Sequence, residues 1–257
     1  MTGWEQLATF AAGVGAGAIG AIAGVASLVS FPVLILLGLP PVAANVTNTL
    51  GLIAAGFGGS WGYREELRAF PAATRRIAVT CTLGGLIGAV ALVAAPPTVF
   101  EGIVPWLVLL ACALVAAQPS LSAWLRRRSV ARGIEPVDQL ALGPRTTVAA
   151  TLTGVYGGYF GAAAGVLMIG VLGIGTDLEA RIINALKTWC LLMSNLTAAL
   201  VFVLVADVAW AYVPALALGS VVGGLLGARV GRRLPAGAFR LIVVTGGVAM
   251  AIWLWVR

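Results

Sequence analysis

The chain has 257 residues, of which 60% are hydrophobic and 10% charged, with a mean hydropathy of +1.03. A soluble domain carries roughly 25% charged residues, so composition excludes an ordinary water-soluble enzyme or binding module. The net charge of +7 sits in short segments beside apolar runs, which speaks for membrane topology and against a nucleic-acid partner.

A helix needs about 20 apolar residues to cross the hydrocarbon core. Uncharged stretches of that order run over 7–63, 77–100, 102–124, 146–176 and 241–256. The expected fold class is therefore all-α, a polytopic transmembrane helical bundle with the lipid bilayer of the cytoplasmic membrane as its surroundings. The N-terminal stretch "MTGWEQLATF" has an acid and no base, so its apolar segment is expected to be retained, not cleaved as a signal.

Next comes "GVGAGAIGAIAG", 13–24, which contains G-x-G-x-x-G. A dinucleotide loop needs a preceding strand and an acidic residue about 20 positions on. The next acid after Glu5 is Glu65, so that reading fails. Instead the stretch recurs: 13–25 aligns with 154–166, sharing Gly13/Gly154, Gly17/Gly158, Gly20/Gly161 and Gly24/Gly165. Small residues at this spacing line one helix face and permit close backbone approach. A second block repeats as well, 84–100 against 223–239, with Gly84/Gly223, Gly85/Gly224, Gly88/Gly227, Pro96/Pro235 and Phe100/Phe239. Between the blocks Asn45 pairs with Asn184 and Asn48 with Lys187. This divides the chain into a first transmembrane repeat, 1–118, a basic linker, 119–145, and a second transmembrane repeat, 146–257.

Basic residues set the expected sidedness. Arg64, Arg68, Arg75 and Arg76 in 62–76, and Arg126, Arg127, Arg128, Arg132 and Arg145 around the linker, place both segments in the cytoplasm. Crossings at about 77–95 and 103–123 then put Glu101 outside. In the second half the bias switches: the surroundings of Asp207 hold no base, whereas 229–240 holds Arg229, Arg232, Arg233 and Arg240. Equivalent loops facing opposite sides predict inverted-topology repeats, the plan of many secondary transporters. The alternative is parallel repeats of plain crossings. Inversion needs an odd number of crossings per half, so a broken or re-entrant segment is expected in each. The candidates are 25–41, with Pro32, Gly38, Pro40 and Pro41, and 166–178, with Gly170, Gly173 and Gly175.

Polar groups inside apolar runs are costly and tend to face a cavity. One cluster is Asn45, Thr47, Asn48 and Thr49; the other is Arg181, Asn184, Lys187, Thr188, Ser194, Asn195 and Thr197. Asn184, Lys187, Thr188 and Asn195 share one helix face, and Asn45 with Asn48 repeats its start. Lys187 is the only lysine in the chain. It either snorkels to the interface or serves as a fixed cation for an anionic substrate. Ser27 and Ser30, just before Pro32, either bond back along their helix or donate to the same ligand. Arg181, with Asp177 and Glu179, reads as interfacial charge at a helix start. Trp61, Trp189 and Tyr63 read as packing or interface aromatics, and Tyr156 and Tyr159 as packing residues of the small-residue helix or lining of a cavity.

Several chemistries lack their residues. There is no P-loop, no histidine, no carboxylate in the middle of an apolar run, and no nucleophile–base pair. The three cysteines, Cys81, Cys112 and Cys190, lie in apolar runs and read as small buried hydrophobes. No cofactor, no metal and no enzymatic activity is expected.

The order of these motifs resembles the sulfite exporter TauE/SafE family. The glycine-rich first helix leads into "FPVLILLGLPPVAANVTNT", and the second copy leads to "ARIINALKTWCLLMSNLTAALVF". The resemblance implies a membrane carrier for sulfite, a sulfonate or another small anion. It places Thr47-Asn48 where the family has a Thr-Ser-like pair and makes Asn184-Ala-Leu-Lys187 similar to an asparagine–lysine variant. The chain departs from the pattern at Ala26-Ser27-Leu28 and Leu167-Met168-Ile169, and by lacking a second proline to match Pro32. Asn45, Thr47, Asn48, Asn184, Lys187, Thr188, Ser27, Ser30 and Asn195 are the expected substrate contacts. A passive anion channel is the rival function, and the small-residue stripes leave a homodimer open.

Overall fold

The computed structural model describes residues 2–132, 142–176, 178–230 and 236–256. Asp177, Arg232, Arg233 and Pro235, and linker positions 133–141, lie outside the described residues. Among those described the chain forms helices and no strand, in the order α1 Gly3–Ala23, α2 Ser27–Leu36, α3 Pro41–Gly62, α4 Arg64–Ala69, α5 Pro71–Ala94, α6 Pro97–Arg132, α7 Pro144–Tyr159, α8 Ala164–Gly175, α9 Ala180–Val205, α10 Val213–Val230 and α11 Ala236–Val256. The bundle is all-α, as composition requires.

Local sequence explains where these helices start. Thr2 and Glu5 form a reciprocal capping box at the head of α1, which satisfies two otherwise orphaned amides. Pro41, Pro71 and Pro144 open α3, α5 and α7, where a missing N–H costs nothing. Glycine and alanine end the glycine-rich helices. Gly24 stops α1 at φ 73°, and the α7–α8 junction uses Gly161 at φ 77° and Ala163 at φ 60°. A left-handed alanine is disfavoured by roughly 1–2 kcal/mol, so the surrounding packing holds this turn.

Two helical hairpins result. α2 folds back along α1, because a Cβ on Gly20 would meet Ala26 at 2.9 Å and one on Gly15 would meet Val29 at 3.2 Å. α8 likewise turns back on α7, with Gly157 facing Ala164. The short helices α2 and α8 occupy the segments 25–41 and 166–178 in which the sequence predicts breaks. α6 departs from expectation: it runs through Pro119 to Arg132, so the first part of the 119–145 linker is helix. The hydrocarbon limits how far an apolar run extends, not how far a helix does.

Helices pack mainly on partners from the other half. α1 lies on α10 and α7 on α5, α9 lies on both α3 and α5, α3 also on α10, and α6 on α11. The small-residue faces make these contacts. A Cβ on Gly13 would lie 2.6 Å from the Leu216 carbonyl oxygen, and one on Gly17 would strike the Ser220 carbonyl. In the matching contact, Gly84 faces Thr151, Gly154 and Val155, while Gly158 faces Gly85. Such faces let backbones touch where lipid gives no hydrophobic drive to associate. Both pairs run parallel. α3 and α9 run antiparallel, with Gly56 against Leu192 and Gly59 against Thr188.

The core contains Phe31, Phe100 and Phe160, stacked edge-on or tilted at centroid distances of 5.3–6.1 Å. Cys81, Cys112 and Cys190 are free and buried, as expected, and Cys81 meets Cys190 across α5 and α9 at 2.8 Å. The outer surface is apolar: Leu204, Trp61, Leu36, Leu225 and Ile242 are among the most exposed side chains. Pro71–Ala94, Pro97–Leu125 and Ala180–Val205 are each long and apolar enough to cross a bilayer.

Candidate functional site

The tips of the two hairpins touch. A Cβ on Gly24 would be 3.6 Å from the Gly165 Cα and 3.5 Å from Lys187 Nζ, and one on Gly165 would be 2.9 Å from the Gly24 carbonyl oxygen. Glycine is favoured at Gly24 by its positive φ of 73°, and the lysine ammonium lies in van der Waals range of a Cβ built there. The alignment of the two halves pairs these same glycines.

Two half-helices start at this junction, α2 after Ala26 and α8 after Ala163. The first amides of a helix have no partner within it and carry partial positive charge, an arrangement that suits an anion. Ser27 opens α2, is half-buried and makes no hydrogen bond among the described residues. Its hydroxyl is available at the tip.

Lys187 is 5% exposed. It donates from Nζ to Asn184 Oδ1 at 3.1 Å, and no carboxylate pairs with it among the described residues. The i, i+3 spacing seen in the sequence is what brings the two together. An ammonium so enclosed needs anionic or dipolar company. Asn184 Nδ2 donates to the Ala180 carbonyl at 2.8 Å and Thr188 Oγ1 to the Asn184 carbonyl at 2.8 Å. Thr188 thus bonds back along its helix and packs its methyl on Gly59. Asn195, on the same helix, is half-buried without a hydrogen bond among the described residues.

The first-half cluster reaches the other tip. Asn45 Nδ2 donates to the Tyr159 carbonyl at 2.9 Å, where α7 ends. Ser30 Oγ lies within hydrogen-bond reach of Asn48 Oδ1 at 2.5 Å and of the Ala26 carbonyl at 3.3 Å; its one proton serves one acceptor at a time. Thr47 Oγ1 accepts from the Ala209 amide at 3.1 Å, so it ties α3 to the turn after α9. Asn184 and Lys187 are therefore brought together, as are Ser30 and Asn48, but no hydrogen bond joins the two sets among the described residues. Tyr156 donates its hydroxyl to the Ala162 carbonyl and braces the second tip. Ser194 donates to the Gly154 carbonyl and holds α9 to α7.

Sequence reasoning missed an ion pair. Arg181 at the start of α9 pairs with Glu66 of α4, a carboxylate only 7% exposed. Among the described residues its second oxygen, Oε2, meets no donor, and the buried Ser60 Oγ and Trp189 Nε1 are also unpaired. No local signal marks Glu66, which follows Glu65 in a charged segment.

No curated protein and no solved structure matched the chain. The family model described as sulfite exporter TauE/SafE matches residues 9–254, nearly the whole length. The glycine-faced helices, the two hairpins and the buried lysine thus belong to a membrane transporter, and the chain is a member of the sulfite exporter TauE/SafE family.

Proposed function

We propose that the protein is a secondary carrier that exports a small sulfur-containing oxyanion, sulfite or an organosulfonate, across the cytoplasmic membrane. The observation that carries this reading is the Lys187 ammonium at the junction of the two hairpin tips. The anion sits there between the amino ends of α2 and α8, its charge balanced by Lys187 and its oxygens met by Ser27 and the backbone amides. Asn45, Thr47, Asn48, Ser30, Asn184, Thr188 and Asn195 form or brace the surroundings of that path.

The two halves are inverted repeats, with each hairpin entering from its own side and linker 119–145 in the cytoplasm. The antiparallel run of α3 past α9 and the exchange of partners between α1–α10 and α7–α5 support this. Rocking of the halves about the tips then opens the site to one side at a time. With a negative interior, each exported charge releases about 2.3 kcal/mol per 100 mV, so export needs neither ATP nor a carboxylate relay.

The test is sulfite efflux from proteoliposomes under an imposed potassium diffusion potential. Efflux that saturates with sulfite and is accelerated by a negative interior is the expected result; potential-driven efflux that fails to saturate would mark a passive pore, and potential-independent efflux would contradict electrogenic export.

A further inference from the structure

We propose that the tip of the α7–α8 hairpin binds an alkali-metal cation, held by Asn45 Oδ1 and by carbonyl oxygens at the end of α7. The inference comes from comparing the two copies. In the second, the aligned pair is Asn184 and Lys187, and the lysine ammonium lies on Asn184 Oδ1 beside Gly24, where α1 ends. A cation at the carboxyl end of a helix is favourable. In the first copy the pair is Asn45 and Asn48. The lysine is gone, and Asn48 Oδ1 is taken by Ser30. Asn45 Oδ1 is buried and has no hydrogen-bond partner among the described residues.

The orientation of the Asn45 amide is fixed by chemistry. Its Nδ2 faces the Tyr159 carbonyl at 2.9 Å, and a flipped amide would set two acceptors against each other. Asn45 is 1% exposed, and a buried acceptor left unpaired is destabilising. The end of α7 adds more negative potential. The Phe160 and Gly161 amides both return to the Tyr156 carbonyl, so the Gly157 and Gly158 carbonyls accept no hydrogen bond among the described residues. Amide and carbonyl oxygens are neutral, and no cluster of His, Cys, Asp or Glu suited to a metal occurs among the described residues. Such a set suits a hard monovalent ion better than a divalent or transition ion. Ends of broken helices are where carriers hold coupling ions.

The role of this cation rests on the carrier reading above. A sulfite dianion would meet two positive charges, one tethered as Lys187 and one free at the opposite tip. One net negative charge still leaves with each dianion, so the membrane potential still drives export.

The test is radiosodium binding to the purified chain in lipid nanodiscs, in choline buffer without sulfite. We expect saturable binding to the wild type, retained in Lys187→Gln and weakened at least about tenfold in Asn45→Ala. Absence of saturable binding to the folded wild type, or wild-type affinity in Asn45→Ala, overturns the proposal. If Asn45→Ala does not elute as a folded, monodisperse protein, Asn45→Asp decides instead. Its added charge should tighten binding about tenfold, and unchanged affinity overturns the site. Sulfite counterflow on the same preparation separates the two readings. Sodium binding without counterflow keeps the cation site and removes the sulfite carrier; counterflow without sodium binding does the reverse.

Discussion

Glu66 and Arg181 join the halves through one ion pair whose partners differ in exposure: the Glu66 side chain is 6% exposed and that of Arg181 is 72%. The exposed guanidinium is screened, so the pair itself contributes little. Removing it leaves a buried carboxylate alone, which costs more. Arg181→Gln should therefore destabilise the protein by about 1–3 kcal/mol, whereas Glu66→Gln should cost less because the buried charge goes with it. Thermal unfolding in detergent checks the order; equal losses would mean the carboxylate is already solvated. This pair was not legible in the sequence, where Arg181 looks like interfacial charge at a helix start. A local pattern carries no information about a partner in another helix. The bond between Lys187 and Asn184 was legible, because helical spacing alone makes neighbours of residues three apart. The contact of Ser30 with Asn48 was not, since it depends on how α2 folds back.

The glycine faces decide how helices associate. At Gly85 a Cβ would lie 2.7 Å from the Ser194 carbonyl oxygen and 2.8 Å from its Cα, while at Gly224 nothing lies within 4 Å. Gly85→Ala should then force α5 off α9 at a cost of about 1–3 kcal/mol, and Gly224→Ala should be neutral or slightly stabilising through helix propensity. Melting temperatures of the two variants test this; a neutral Gly85→Ala would show that the α5–α9 contact relaxes without cost. The spacing of these glycines told which faces approach closely. It did not tell that α1 and α7 each choose a partner from the opposite half, a matter of tertiary arrangement. The short helices α2 and α8 were legible from glycine and proline interruptions. Their antiparallel return was not, because a break does not state its angle. The extension of α6 to Arg132 was hidden for a related reason: loss of apolar character marks the end of a crossing, not of a helix.

For the whole molecule, the class was legible because apolar runs recur over long stretches, and the match to the TauE/SafE family over 9–254 agrees with that class. Sidedness rests on the arginine distribution. Arg68 and Asp207 follow α3 and α9, which run antiparallel. In a cysteine-free background, Arg68→Cys should react with a membrane-impermeant maleimide only from the cytoplasmic side and Asp207→Cys only from outside. Labelling of both from one side would mean parallel repeats. The site claim depends on Lys187, which supplies a fixed charge where Gly24 and Gly165 meet. The most direct measurement is sulfite counterflow in proteoliposomes, wild type beside Lys187→Gln, with both shown to be folded. Saturable exchange in the wild type that falls at least about tenfold in the variant, roughly 1.4 kcal/mol, is the predicted result. Equal exchange in both would contradict the account and move the anion away from the hairpin tips.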